Sequence, residues 1–455
     1  MNTMSSFRDM IDAIAERGRR LIAPSPPAQK DAGAETLVLR CEELLSSKGE
    51  ASGLALAQDI LSGWARLNDQ EQREFMCALL ERFGAGAAHL GQAIKNYSEN
   101  PNADTLSALH DAAEPRRQEL IRRLNAAPQG TASLVRMREV LLHLLPSMPE
   151  LAAVDADFAH LFASWFNRGF LQLRSIDWMT PAHILEKIIH YEAVHAIGDW
   201  NELRSRLAPP DRRCFAFFHP QLADEPLIFV EVALTRSIPD RIGTLLDDAR
   251  APIAPGDADT AVFYSISNCQ QGLRGISFGN FLIKQVVEDL RREQPGLKNF
   301  VTLSPVPGFA RWLKAATDET EVLEFDRLKA VLDGDGWSQD EALVLEVQPL
   351  LLRAAAQYFL NARTTDGRPV DPVARFHLGN GARLERLDFL GNVSARALRE
   401  SHCLMVNYLY KLDDIERNHE AYAERGEVVA SSDVRKWLSA QSFKKPAKPR
   451  EKTHA

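Results

Sequence analysis

The chain has 455 residues, of which 45% are hydrophobic and 25% charged, and its formal net charge is −8. Two or three domains are expected, because a single hydrophobic core stops growing at roughly 250 to 300 residues. The acidic balance gives no reason to expect a nucleic-acid partner. The five cysteines are scattered without a Cys-x-x-Cys pair, which favours neither a disulfide framework nor a cysteine zinc site. No run of residues predicts a signal peptide or a membrane span, so no membrane partner and a cytoplasmic location are expected.

Residues 1–168 have the pattern of an all-helical domain. Apolar residues recur at three- and four-residue spacing, with almost no alternation of β-branched residues. Asn68 and Glu71 have the spacing of a capping box. The predicted helices cover about 34–47, 51–67, 69–84, 103–112, 114–126, 131–145 and 156–168. This domain has no cluster of chemistry-bearing residues, so an oligomerisation or scaffold role is the simplest interpretation.

Residues 169–440 mix strands with helices, which predicts an α+β fold in which helices flank a mixed β-sheet. A helix is predicted over 181–207. Consecutive antiparallel strands are predicted over 213–218, 226–234 and 260–267. The remaining predicted elements are a helix at 279–293, a strand at 299–303, helices at 308–316 and 323–363 with a turn at 333–336, and short elements at 375–378, 382–387 and 404–410. The basic segment 441–455 is expected to be a disordered tail.

The sequence predicts no metal site. His190 and His195 are five residues apart and therefore lack the i, i+4 spacing of a helical zinc pair. The turn that begins at Asp333 resembles a calcium loop, but Ser338 stands where such a loop needs glycine.

A glycine-rich segment, residues 270–279, lies between a predicted strand and a predicted helix. Its three glycines allow the backbone to approach a ligand closely, and N–H groups at a helix N-terminus favour an anion. Arg274 can add charge-assisted hydrogen bonds. The spacing fits neither a dinucleotide fingerprint nor a nucleoside-triphosphate loop. The segment predicts a phosphate site, with a plain tight turn as the alternative.

Ser304 lies between the predicted strand 299–303 and Pro305. Proline has no N–H to donate to a sheet, so the strand should end there. Ligands of open α/β sheets usually bind at this edge. A serine before a proline is more often a turn former than a nucleophile, and the residue types alone leave both roles open.

The order of strands, glycine loop, helix and strand resembles the acyl-CoA-binding core of the GNAT acetyltransferases, in which such a loop holds the pyrophosphate of coenzyme A. Here three residues separate Gly275 from Gly279, where the usual loop has one. A set of segments in chain order closely resembles the malonyl-CoA decarboxylases: 218–234, 263–267, 270–275, 303–309, 376–382 and 404–408. That family has a helical N-terminal domain followed by a GNAT-like domain.

The resemblance implies that malonyl-CoA is converted to acetyl-CoA and CO₂. It makes Ser304 and His377 the catalytic serine and histidine, with Tyr410 as a further active-site residue. Ser277 stands where animal members carry a glutamate, so a carboxylate role does not transfer. The residues expected to bind coenzyme A or substrate are Ser265, Gln270, Gln271, Gly272, Arg274, Gly275, Ser277, Gly279 and Asn280.

Loss of CO₂ leaves an enolate whose charge lies largely on the thioester oxygen, so no metal or organic cofactor is expected. We interpret Ser304 and His377 as the pair that stabilises and protonates this enolate. His377 is the expected acid, because an ordinary histidine pKa near about 6.5 allows donation at neutral pH. Decarboxylation needs no acyl-enzyme, so Ser304 is expected to handle protons rather than attack the substrate.

Two other functions are compatible with these residues. A GNAT-type acyltransferase would need an acceptor amine and would release free coenzyme A. An inactive acyl-CoA sensor or scaffold would do neither, and His377 would then be a packed histidine beside a turn. Homo-oligomerisation through the helical domain is expected only by analogy with the family.

Overall fold

The computed structural model describes residues 33–439 except 48, 223, 277–281, 317–322 and 335, with the backbone alone at 323–327 and 439. The predicted tail at 441–455 therefore lies outside the described residues. The chain divides into two compact units. The first contains the described residues up to Gln172, Phe217–Leu227 and the described part of 268–279. The second contains Leu173–Ala216, Ile228–Ser267 and the rest.

The first unit is built mainly from helices. The bounds are α1 Ala34–Ser46, α2 Glu50–Trp64, α3 Asp69–Arg82, α4 Ala87–Glu99, α5 Ala103–Ala113, α6 Arg116–Asn125, α7 Gly130–Leu144 and α8 Ala152–Trp165. The capping box of α3 is confirmed, since the Asn68 side chain accepts two backbone N–H groups and Glu71 accepts the N–H of Asn68. Helix α4 was not predicted. Leu90, Ala93, Ile94 and Tyr97 have the three- and four-residue spacing of a helical apolar stripe, so the sequence reasoning overlooked a pattern that was present. Only Ala93 of this helix is buried.

Eight strands form one mixed sheet in the described part of the chain. Their bounds are β1 Gln172–Ile176, β2 Arg212–Phe218, β3 Pro226–Thr235, β4 Thr260–Asn268, β5 Asn299–Thr302, β6 Ser304–Pro305, β7 Arg383–Asp388 and β8 Met405–Leu409. The order is β1-β2-β3-β4-β5-β8-β6, and β7 pairs with β8. β4 and β5 are parallel, whereas β8 runs antiparallel to β5, β6 and β7. The predicted α+β class with a mixed sheet is confirmed.

The helices of the second unit include those predicted at 279–293, 308–316 and 323–363. Four others were not predicted from the sequence: Gly243–Leu246, Ala395–Ser401, Ile415–Arg425 and Ser432–Ser439. The bounds of the helices in this unit are α9 Ala182–Tyr191, α10 Trp200–Leu207, α11 Gly243–Leu246, α12 Leu282–Glu293, α13 Phe309–Ala315, α14 Leu323–Leu332, α15 Glu341–Leu360, α16 Pro372–Gly379, α17 Ala395–Ser401, α18 Ile415–Arg425 and α19 Ser432–Ser439. The single helix predicted over 181–207 is wrong, because the chain leaves the helix at Glu192. The Glu192 carboxylate accepts the N–H groups of Val194 and His195, and Asp199 caps α10.

Alternation along β5 and β6 positions the candidate site. Val301 and Leu303 pack into a buried apolar cluster with Val262. Successive side chains of a strand point to opposite faces. Thr302 and Ser304 therefore face away from that cluster, and both are buried. Among the described residues, no helix combines the length and apolar character needed to cross a membrane.

Candidate active site

Ser304 lies where the sheet pairing of its strand ends. In the register with β8, Ser304 faces Val406 and Pro305 faces Met405. The strand predicted over 299–303 ends one residue earlier, at Thr302, and Pro305 is included in the pairing of the next strand, β6, which then ends. The Ser304 side chain is thereby attached to a stiff backbone, with only 5% of its surface exposed.

His377 is carried by the short helix α16. Asp371 caps this helix, because its Oδ1 accepts the N–H of Ala374 at 2.7 Å. The hydroxyl of Tyr358 donates to Asp371 Oδ2 at 3.1 Å. These bonds fix the start of the helix, and His377 follows in its last turn. The imidazole is 3% exposed, so its surroundings are protein atoms rather than water.

The three predicted catalytic residues are brought together in the second unit. His377 Nε2 lies 3.2 Å from Ser304 Oγ, and His377 Nδ1 lies 2.8 Å from the Tyr410 hydroxyl. The ring of Tyr408 stacks on the imidazole at a centroid distance of 4.6 Å. The histidine is therefore held at both nitrogens and on one face.

The hydrogen bonds define a direction through this group. Ser304 Oγ donates to Thr302 Oγ1 at 2.9 Å. A serine hydroxyl has one proton, so Ser304 must accept its second bond from Nε2–H of His377. A neutral imidazole protonated at Nε2 accepts at Nδ1, and there Tyr410 is the donor. The chain of donation thus runs from Tyr410 through His377 and Ser304 to Thr302.

Burial sets the protonation states along this chain. It lowers the pKa of His377 to about 3, because a charged imidazolium loses solvation in the interior. It also raises the pKa of the Tyr410 hydroxyl well above its ordinary value. At neutral pH the histidine is therefore uncharged and the tyrosine protonated. The ordinary pKa expected for His377 from the sequence is therefore wrong for the protein without substrate.

Thr302 is a member of this group that the sequence reasoning missed. It is fully buried, and its Oγ1 accepts both the Ser304 hydroxyl and the N–H of Tyr408, the latter at 3.1 Å. Its backbone oxygen accepts Asn407 Nδ2 at 2.9 Å. A signal was present in the sequence, because residues two apart on a strand share a face.

The glycine-rich segment lies in the first unit. Gln270 Nε2 donates to the backbone oxygen of Pro226 at 3.1 Å, and Gln271 begins a short 3₁₀ turn. Arg274 and Gly275 are exposed. Gly275 has a φ of +81°, and no described atom outside its chain neighbours lies within 4 Å of the position a Cβ would take. Three further predicted binding residues lie outside the described residues: Ser277, Gly279 and Asn280.

Gly272 makes a close backbone contact in the same unit. A Cβ at this position would lie 1.9 Å from the backbone oxygen of Val135 in α7. Only glycine allows the segment to approach the helix so closely. The role of this segment in binding coenzyme A stays a prediction.

Ser265 has a partner of its own in the second unit. Its hydroxyl lies 2.7 Å from Glu192 Oε2 and 2.9 Å from Oε1, and the side chain is buried. Through Glu192 it supports the turn that follows α9. Its assignment to coenzyme A binding stays a prediction. Within the described part of the chain, no three His, Cys, Asp or Glu residues are grouped so that they could hold a metal ion.

The chain is similar to a family of known proteins over most of its length. Residues 169–448 match the family model of the malonyl-CoA decarboxylase C-terminal domain, and residues 83–166 match that of the N-terminal domain. The mitochondrial malonyl-CoA decarboxylase of Rattus norvegicus is 30% identical to this chain, over 93% of this chain and 90% of the length of the rat protein. The mitochondrial malonyl-CoA decarboxylase of Anser anser anser is 34% identical, over 71% of this chain and 70% of the length of the goose protein.

Solved structures are similar as well. The crystal structure of malonyl-CoA decarboxylase from Rhodopseudomonas palustris is 58% identical, covers 89% of this chain and 99% of that one, and superposes with a TM-score of 0.87. The structure from Agrobacterium vitis is 62% identical, with coverage of 88% and 99% and a TM-score of 0.84.

Proposed function

Since the chain belongs to the malonyl-CoA decarboxylase family, we propose that its buried Ser304 and His377 carry out the conversion of malonyl-CoA to acetyl-CoA and CO₂. The enzyme is a carboxy-lyase. The observation that carries the proposal is the continuous buried hydrogen-bond chain from Tyr410 through His377 and Ser304 to Thr302.

The reaction sets two requirements. When the bond between C2 and the malonyl carboxylate breaks, its electron pair moves toward the thioester and leaves an enolate. One proton must then be added at C2, so each turnover consumes one proton. Donors aimed at the thioester oxygen stabilise the enolate, and a positioned acid contributes roughly 10² to 10⁴-fold in rate. A serine hydroxyl and an imidazole can meet both requirements.

The neutral state of His377 suggests how the proton is supplied. An opposite charge close to an imidazole raises its pKa, because that charge stabilises the imidazolium. A malonyl carboxylate bound beside the pair would therefore raise the pKa of His377 and increase the fraction of the histidine that carries a second proton. Loss of the carboxylate as neutral CO₂ removes this stabilisation, and the buried imidazolium becomes a strong acid. The pair then protonates C2, and His377 returns to its neutral state.

Proton uptake provides a direct test. Binding of a malonyl-CoA analogue that cannot decarboxylate should take up a fraction of a proton per site, and this fraction should grow as the pH falls from about 7 to about 5, because the carboxylate raises the pKa of the histidine. Calorimetry in buffers of different ionisation enthalpy measures this number. The His377→Asn variant should take up none. Binding by the wild type without uptake would contradict the proposed source of the proton.

Incubation with malonyl-CoA alone distinguishes the decarboxylase from an acyltransferase. The decarboxylase yields acetyl-CoA and CO₂ with no acceptor present. An acyltransferase instead needs an amine and releases free coenzyme A. Following all three products by chromatography and CO₂ capture decides between them.

We further propose that the segment 270–275 binds the pyrophosphate of coenzyme A. Support comes from the exposed Arg274 and from Gly275, whose left-handed backbone leaves open space for a ligand. The N–H groups and the guanidinium favour an anion. A Gly275→Ala variant should raise the KM for malonyl-CoA but not for malonyl-pantetheine, which lacks the pyrophosphate.

We also propose a homo-oligomer formed through residues 1–168, a cytoplasmic location and no metal or organic cofactor. The helical character of this region supports the first, and the bacterial origin of the solved relatives supports the second. The thioester oxygen can take the enolate charge, which supports the third. Light scattering of the purified protein tests the homo-oligomer, and cell fractionation tests the location. Activity that persists after chelation would support the absence of a metal cofactor.

A further inference from the structure

The glycine-rich segment ends in a turn whose type matters for ligand binding. The N–H of Ile276 donates to the oxygen of Leu273 at 3.0 Å. Arg274 has φ −55° and ψ 130°, and Gly275 has φ +81°. These angles define a type II turn. Types I and II differ mainly in the orientation of the central peptide, here the one that joins Arg274 to Gly275.

A buried arginine of α7 holds that peptide. Arg138 Nη1 donates to the backbone oxygens of Gly272 at 2.8 Å and Arg274 at 2.9 Å. Its Nε donates to Asp155 Oδ1 at 2.7 Å. The Arg138 side chain is 3% exposed. A guanidinium is a rigid planar fork, so Asp155 on one side directs its other donors at the turn.

The geometry of a trans peptide gives this contact a consequence. The C=O and N–H of one trans peptide point in opposite directions, and the described chain has no cis peptide. With the Arg274 oxygen directed at Arg138, the N–H of Gly275 is directed away from α7. The flipped peptide of a type I turn would exchange these two groups and present an oxygen where an anion is expected.

We propose that Arg138 is a positioning residue for substrate binding, and that it selects the turn in which the Gly275 N–H can donate to the pyrophosphate of coenzyme A. This inference rests on the proposed role of the segment 270–275. It gives the helical region a part in binding substrate beyond that of a scaffold. The close approach of Gly272 to Val135 brings the turn within reach of the arginine.

The test compares Arg138→Gln with a matched variant, Arg117→Gln. Arg117 is likewise buried, pairs with Asp157 of α8 and donates to the backbone oxygen of Ala153. Both variants remove a buried helix-to-helix ion pair, but only Arg138 holds the turn. The substrates are malonyl-CoA and malonyl-pantetheine, which has the same reacting group without the pyrophosphate and nucleotide.

We expect Arg138→Gln to raise the KM for malonyl-CoA about tenfold, the equivalent of one charge-assisted hydrogen bond. Its kcat and its kinetics with malonyl-pantetheine should stay within twofold of the wild type. Arg138→Lys should recover part of the loss. Arg117→Gln should lower the melting temperature without a change in KM.

The inference is overturned if Arg138→Gln affects both substrates equally, or if Arg117→Gln raises the KM as much. A Gly275→Ala variant then shows whether pyrophosphate binding by the segment or its positioning by Arg138 is the part that is wrong. If Gly275→Ala raises the KM for malonyl-CoA and Arg138→Gln does not, the segment binds the pyrophosphate but Arg138 does not position it. If neither variant affects either substrate, the proposed role of the segment falls as well.

Decarboxylation of malonyl-CoA by the wild type is measured in the same assay, so a failure of the catalytic proposal is seen separately. If Arg138→Gln does not fold, Asp155→Asn provides the second variant. It leaves the guanidinium in place but weakens its orientation. A smaller rise in the KM for malonyl-CoA alone would support the inference, and an unchanged KM would overturn it.

Discussion

The catalytic group and the glycine-rich segment orient their donors in different ways. Around Ser304 and His377 the donors are side chains, and each is held by the next in one buried chain of hydrogen bonds. In the glycine-rich segment the proposed donor is a backbone N–H, oriented by an arginine 136 residues away from the turn. The first arrangement can be recognised by residue type. The second has no sequence motif of its own.

The two regions also differ in exposure. Ser304, His377 and Tyr410 are buried, whereas Arg274 and Gly275 are exposed. Burial alters protonation states and so affects the chemical step. The exposed segment is proposed to bind the pyrophosphate, which takes no part in the reaction of the thioester. We therefore expect variants of the catalytic group to lower kcat and variants of the segment to raise KM.

The largest effects are expected for Ser304→Ala and His377→Asn. Each variant removes a member of the pair proposed to stabilise and protonate the enolate, so kcat should fall roughly 10² to 10⁴-fold. Acetyl-CoA formation measures the loss, and circular dichroism checks the fold. Full turnover by both folded variants would rule out this catalytic pair.

Tyr410→Phe should have the next largest effect. The variant keeps the ring but removes the hydroxyl that lies 2.8 Å from His377 Nδ1. Loss of one buried hydrogen bond should lower kcat about 10 to 100-fold with little change in KM. Steady-state kinetics measure both constants. A change confined to KM would place Tyr410 in substrate binding instead.

Thr302→Val tests the direction of the hydrogen-bond chain. Valine keeps the shape of threonine but offers no acceptor to the Ser304 hydroxyl, so kcat should fall about tenfold. Thr302→Ser is the matched control, because it keeps the hydroxyl and loses a methyl group. The serine variant should retain most of the activity. Equal losses in both variants would indicate packing rather than hydrogen bonding.

Gly275→Val tests the exposed segment. A β-branched residue disfavours a φ of +81°, so the turn should change and the KM for malonyl-CoA should rise several-fold, by about 3 to 10. Gly367→Val is a matched control, since Gly367 is exposed, has a φ of +79° and also has open space around it. The Gly367→Val variant should have similar backbone strain, but its KM for malonyl-CoA should equal that of the wild type. Equal KM values for the two variants would contradict the binding role.

The smallest expected effect is in the pH profile. Burial lowers the pKa of His377 to about 3 in the substrate-free protein. A plot of kcat/KM against pH should therefore show no change at about pH 6.5, where an ordinary histidine titrates. Stability follows the same ionisation. Between the folded-state pKa of about 3 and the ordinary histidine pKa of about 6.5, the unfolded chain binds a proton at His377 that the folded protein does not. The free energy of unfolding therefore falls as the pH falls through this range. His377→Gln should weaken this acid sensitivity in denaturant titrations.

Much of the fold could be predicted because helices and strands leave periodic patterns of apolar residues. The prediction overlooked α4, whose apolar pattern was present, and it continued a helix over 181–207 through a break in the structure. Helix α4 buries a single alanine, and the helix predicted over 181–207 is interrupted by hydrogen bonds to Glu192. Those bonds are local but depend on the rotamer of one side chain, which periodicity does not report.

The sequence by itself determined the fold class and the family, and it led to the prediction of Ser304 and His377 as the catalytic pair. These follow from residue type, spacing and resemblance. Only the tertiary structure decided that Thr302 accepts the hydrogen bond of the Ser304 hydroxyl, that His377 is neutral, and that Arg138 holds the turn before Ile276. The physical reason is that hydrogen-bond direction and desolvation depend on which distant segments the chain brings together. Local sequence patterns do not contain that information.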